Sequence, residues 1–254
     1  MQNNGIEMET EPEMEAFLVR LIPGLFAECE GASEEEIRLL QSFTSKPLPR
    51  FYIWFLRRMG RSMGPLSIPL IDFSVFSIVS WYNGDHGGFD VPDTDLLIGL
   101  DTDKRLIFYN LNVPNRNDAL LQSTALDDYC PNNDFETFRE MLGWSTHFRF
   151  RITKFPHFCS GYIRSNDKEI FRQINPILTD MGFIQPIATG LFCGIFDHVD
   201  AAMICSRTVY DIKYPLSLSF DLGGRNKELL RNILGKITSE TSVFVEIKKW
   251  STLE

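Results

Sequence analysis

Residues 48–60, LPRFYIWFLRRMG, constrain the fold more than any other stretch, with seven apolar or aromatic side chains in the first nine positions. Phe51, Tyr52, Phe55 and Leu56 recur at i, i+1, i+4 and i+5, which is one face of a helix. Pro49 suits the first turn of that helix, and Gly60 is expected to end it in the left-handed conformation. So wide an apolar face must be buried against a further layer. Arg57 and Arg58 are expected to form a solvated helix end, where positive charge favours the helix dipole.

Upstream, Ser33 followed by Glu34, Glu35 and Glu36 predicts a helix start with a capping box, carrying Ile37 and Leu40 inward. Before it, Phe17, Leu18, Leu21, Leu25 and Phe26 at helical spacing are interrupted by Pro23–Gly24, so a kinked or split helix is expected. Downstream, PLIDFSVFSIVSWY (69–82) is rich in β-branched and aromatic residues and predicts a strand. LLIGL, DTDK and RLIFYNL then predict a β-hairpin with a short acidic turn. A looser segment to Pro131 follows, and then a helix capped by Asp134 with Phe135, Phe138 and Leu142 on its face.

After Gly143–Trp144 the pattern changes. FRFRITKF and FCSGYIR read as strand, KEIFRQINPILTDMGF as helix, and TGLFCGIF, AMICSRTV and YPLSLSFDL as strands. RNKELLRNILGKI reads as a helix and VFVEIKKW as a last strand. The class is α+β, and the second half is nearest to a ferredoxin-like pattern with one strand too many. The expected division is an acidic, partly helical extension over 1–32, one domain over 33–143, and an α+β sandwich domain over 146–254.

The formal charge of -9 is unevenly spread. Residues 1–36 hold ten acids and one base, 37–79 run to +5, 80–140 to -8, and 141–254 to +3. No dense basic block exists, which argues against direct nucleic-acid binding. The five cysteines are widely spaced without a CxxC pair, so buried free thiols are expected rather than a zinc or redox site. The N-terminus lacks the basic flank and apolar run of a signal peptide, and no stretch reaches the roughly 18 apolar residues of a membrane span. A cytoplasmic protein with no membrane contact is expected.

The landmarks Ser33-Glu34-Glu35-Glu36-Ile37, Leu40, then Leu48-Pro49-x-x-Tyr52-x-x-Phe55-Leu56 and Gly60 resemble the first two helices of the SMI1/KNR4 (SUKH) superfamily. LLIGLDTDKRLIFYNLN is similar to that family's central hairpin, and DFETFREML to its closing helix. The resemblance covers residues 33–143. Gln41, Ser45 and Met59 depart from the usual pattern, and Thr44 breaks the apolar face of the first helix. Bacterial members are largely immunity proteins that bind and neutralise a cognate polymorphic or secreted toxin, often a nuclease or deaminase. Fungal members are regulatory scaffolds, which is the alternative here. Either way the resemblance implies a protein-binding module that is not an enzyme and uses no cofactor or metal.

Within the acidic middle, Asp85, Asp90, Asp93, Asp95, Asp127 and Asp128 fall in expected loops beside Trp81, Tyr82, Phe89 and Tyr129. Acidic charge with aromatic anchors suits a surface that captures a basic partner such as a nuclease cleft. Asp85–His86 lacks a second histidine at ligand spacing, and Asp101-x-Asp103 lacks the glycine and closing glutamate of a calcium loop. His157 and Cys159 could share one strand face as a Cys/His couple, though no orienting acid accompanies them. Asp197–His198 reads as a turn.

Overall fold

The computed structural model describes residues 11–84, 91–102, 105–125, 128–132, 135–165, 170–208 and 216–252. The protein is α+β and forms two compact units. The first comprises residues up to Asn133 together with Thr137–Arg139, and the second comprises Asp134–Glu136 and everything from Glu140 onward.

The first unit opens with α1 (Pro12–Leu21), which buries Met14, Phe17 and Leu18. Gly24 at φ +79 turns the chain into a 3-10 turn over Leu25–Ala27, so the helix is split, as Pro23–Gly24 implies. The Ser33 capping box starts α2 (Glu34–Ser42): Ser33 Oγ accepts the Glu36 N–H at 3.3 Å and Glu36 accepts the Ser33 N–H at 2.7 Å. Helix α3 (Arg50–Met59) buries Phe51, Tyr52, Trp54, Phe55, Leu56 and Met59, with Pro49 at the cap position.

Gly60 departs from expectation. Its φ of -69 is right-handed, so handedness is not why glycine stands there. A Cβ would lie 2.6 Å from the Leu56 carbonyl oxygen and 3.0 Å from the Ala32 side chain. The paired arginines also differ: Arg57 donates to both Glu34 oxygens (2.8 and 3.3 Å), tying α3 to the start of α2. Arg58 donates to Glu15 of α1 at 3.0 Å, and the same carboxylate accepts the Trp54 indole N–H at 2.7 Å. These side chains lace three helices together.

The stretch expected as a strand over 69–82 supplies only β1 (Ile71–Asp72) and then α4 (Val75–Tyr82). Local capping overrides strand propensity. Ser74 accepts the Ser77 N–H at 3.3 Å, while Asp72 accepts the Ser74 N–H at 2.8 Å and the Ser77 hydroxyl at 2.5 Å. Val75 and Ile78, one turn apart, fill the inward face.

The hairpin forms as read, from β2 (Asp95–Asp101) and β3 (Arg105–Asn115). The segment expected to be loose is instead β4 (Asp118–Ala125) and β5 (Asp128–Asn132). A two-residue reversal makes this possible: Arg116 takes φ +58 and Asn115 pairs with Asp118. The result is an antiparallel meander in the order β1-β2-β3-β4-β5. One sheet face carries Leu97, Leu106 and Phe108 under Trp81 and Tyr82 of α4. The other carries Tyr109, whose ring meets Tyr52 at 5.4 Å and Phe138 at 6.5 Å.

Phe138 is the hub of that aromatic core, edge-on to Phe55 at 4.8 Å and also within 5.0 Å of Phe73 and 6.1 Å of Phe51. It opens α5 (Phe138–Phe150), of which only Phe138 and Arg139 belong to the first unit. Asp134, the expected cap, lies outside the described residues, and Phe135 precedes the helix.

In the second unit α5 runs on through Phe150 and a 3-10 turn over Ile152–Lys154, so FRFRITKF is not a strand. Gly143 does not break the helix. A Cβ there would meet Ile187 Cδ1 at 2.2 Å, so the glycine is a packing notch. The remaining elements follow the order read from the sequence: β6 (His157–Ser165), α6 (Ile170–Asp180), β7 (Cys193–His198), β8 (Ala201–Thr208), β9 (Leu216–Gly224), α7 (Lys227–Glu240) and β10 (Phe244–Thr252). They form one antiparallel sheet, β10-β6-β9-β8-β7. Without β7 this is the split β-α-β order of a ferredoxin-like sheet, and β7 is the extra strand, paired at the edge beside β8. Its core joins Cys159, Ile163, Met203, Leu218, Phe220 and Leu222 of the sheet to Ile170, Ile174, Leu230 and Ile233 of the helices.

Candidate protein-binding surface

The residues that carry the family resemblance are a packing set. Ile37, Leu40, Leu48, Tyr52, Phe55 and Leu56 are all buried, Pro49 is half-buried, and Gly60 is closed in by Leu56 and Ala32. Thr44, where the helix pattern breaks, is buried too, and its hydroxyl donates to the Asp93 carbonyl at 2.7 Å. That bond and the Ser45 N–H to the same oxygen (3.0 Å) pin the loop before β2 to the end of α2.

The expected binding residues separate into three groups. Asp85, Asp90 and Asp127 lie outside the described residues, as do His86 and Phe89. Trp81 and Tyr82 end α4 and are engaged internally. Tyr82 stacks on Phe43 at 4.2 Å and its oxygen accepts the Leu97 N–H at 2.9 Å, while Trp81 packs on the Leu97–Leu106–Phe108 cluster. Asp93 is exposed. Asp95 is only 9% exposed, and burial pushes its carboxyl up, opposed by the Thr94 hydroxyl. Asp128 begins β5, its backbone opposite Ala125. Of Asp93 and Asp95, Asp93 presents its carboxylate at the surface and Asp95 does not.

Residues 69–82, expected as a strand, place other groups outside. Leu70 is 63% exposed and Phe76 is 76% exposed. Between them, the Asp72 carboxyl is held below its ordinary value: burial raises it, but the Ser77 hydroxyl and the Ser74 N–H and hydroxyl outweigh that. The signal for this arrangement was Asp72-x-Ser74-x-x-Ser77, a helix start hidden in a strand-like composition.

The charge is divided sharply. The second unit holds 14 acids and 14 bases, so the whole formal charge of -9 lies on the first.

Cys159 is fully buried, and that burial, with Asp221 nearby, pushes its thiol up to about 12, which disfavours the thiolate a Cys/His couple needs. His198 and Asp197 end β7 instead of forming a turn. Asp197 accepts from Arg151 at 2.8 Å, and His198 Nδ1 accepts the Asp200 N–H at 3.1 Å. His147 is buried with Nε2 3.1 Å from the Phe196 carbonyl. Among the described residues no group of three or more His, Cys, Asp or Glu is placed to hold a metal, and no helix is long and apolar enough to cross a membrane.

Comparison of the chain with protein-family models, curated proteins and solved structures finds no match.

Proposed function

We propose that this chain is a protein-capture module of the SMI1/KNR4 (SUKH) type, acting as an immunity protein that binds and neutralises a cognate secreted bacterial toxin. The observation that carries the reading is the motif itself: its landmarks keep the family's order and spacing, and its apolar members bury together with Tyr109 and Phe138 as a helix pair on an antiparallel meander. Such a scaffold acts by shape and charge at its surface. The first unit's acidity supports a basic partner, since a nuclease or nucleic-acid deaminase has a positive substrate cleft that a negative surface can approach quickly and cover. Inhibition would be stoichiometric and cofactor-free.

The test is co-expression with the toxin encoded beside this chain's gene. Cells carrying both should survive induction that kills cells carrying the toxin alone. Equal killing with and without this chain overturns the proposal.

A further inference from the structure

The first unit exposes two large apolar side chains within one seven-residue stretch, Leu70 and Phe76. Both stand on a pinned backbone. Leu70 is held in the left-handed region at φ +70, a conformation a Cβ-bearing residue adopts only at a cost. The Leu70 carbonyl accepts the Thr102 N–H at 2.9 Å, and Ile71 pairs with Asp101 of β2. Phe76 rides on the outer side of α4, whose Val75 N–H is fixed by the Gly60 carbonyl at 2.8 Å and whose Val75 and Ile78 are buried. The two side chains are thus displayed, not loose. Strain of this kind persists where surrounding structure enforces it and is characteristic of binding sites.

Two carboxylates accompany them, within a unit that is acidic as a whole. Asp72 stands between them in sequence, Asp101 lies opposite Ile71, and the unit that carries them holds the whole charge of -9. That sign selects the occupant. A second copy of the same acidic unit would bring like charge against like, whereas a basic protein surface would be drawn in.

We infer that Leu70 and Phe76 are the apolar anchors with which the first unit docks a basic protein surface, and, resting on the capture reading above, that this surface belongs to the toxin. An exposed aromatic ring on a capped helix, with an exposed aliphatic residue six positions before it and both on an acidic unit, has the make-up of an interface centre. The acids govern approach, and the two side chains hold the complex once formed.

The experiment measures affinity of the full chain for a purified, catalytically inactivated form of the toxin encoded beside its gene. Phe76→Ser and Leu70→Gly are compared with Leu191→Ser, which removes a side chain 72% exposed on the second unit. Leu70→Gly suits the left-handed backbone, so it deletes the side chain without threatening the fold. The expected result is a dissociation constant about 30-fold higher for Phe76→Ser, a smaller rise for Leu70→Gly, and no change for Leu191→Ser. Tight binding by the wild type with both first-unit variants within about 3-fold of it overturns the inference and leaves the capture reading standing. No binding by the wild type removes both. A wild-type dimer that Phe76→Ser converts to a monomer in sedimentation also overturns it, assigning the patch to a second copy.

Discussion

Asp118 shows how far one side chain can be moved from its behaviour in water. It begins β4, is fully enclosed, and burial pushes its carboxyl from the ordinary 3.8 to about 7, although its Oδ2 accepts the Arg139 N–H at 3.0 Å. Between those two values the folded chain keeps a proton that the unfolded chain has already released. The stabilisation from this group is therefore full below the unfolded value and is lost as pH rises toward 7, at up to about 1.4 kcal/mol per pH unit. Urea unfolding at pH 5 and pH 7.5 should show the decline, and Asp118→Asn should flatten it. Two backbone positions give opposite outcomes. Gly60→Ala drives a methyl against the Leu56 carbonyl and should destabilise by about 1–3 kcal/mol in thermal melts. Leu70→Gly relieves a positive φ and should leave stability unchanged or raise it by up to about 1 kcal/mol.

At the scale of elements, capping decides what propensity leaves open. Ser33→Ala removes one half of the capping box of α2 and should cost about 1 kcal/mol, read as a lower urea midpoint with an unchanged slope. The same physics explains which elements were legible in the sequence. α2, α3, the β2–β3 hairpin and the order from β6 to β10 announce themselves by periodicity bounded by caps and turns. α4 did not, because Val75-Phe76-Ser77-Ile78-Val79 has strand composition, and the Asp72–Ser74–Ser77 bonds that cap it as a helix are easily overlooked in it. The full length of α5 is hidden in the sequence because Gly143 looks like punctuation, whereas it is a notch for Ile187. β4 is not announced in the sequence because the β3–β4 turn rests on Arg116 at positive φ, which Asn or Gly would signal more clearly. The candidate surface was less legible than the fold. Tyr82 and Trp81 are aromatic in an acidic stretch, yet they face Phe43 and Leu97. Composition alone cannot distinguish an inward ring from an outward one, and the outward ring proved to be Phe76.

For the whole molecule, the asymmetry of charge is the dominant property: one unit at -9, the other neutral. If the acidic unit leads the encounter, association with the proposed toxin partner should slow severalfold or more as salt rises from about 50 mM to 0.5 M, while dissociation changes less. Stopped-flow traces at a series of ionic strengths would resolve the two. Reversing Asp93 to Lys, at an exposed position on a loop pinned through its backbone, should reduce the association rate without altering the melting temperature. The placement of Phe138 bears on synthesis. The aromatic core begun by Phe51, Tyr52 and Phe55 receives its central ring from a residue some eighty positions later, at the start of a helix that continues into the other unit. A nascent chain halted at residue 133 has made every strand of the meander and still has a hole at its centre. The ribosome must therefore commit to the second half of the message before the first half can close.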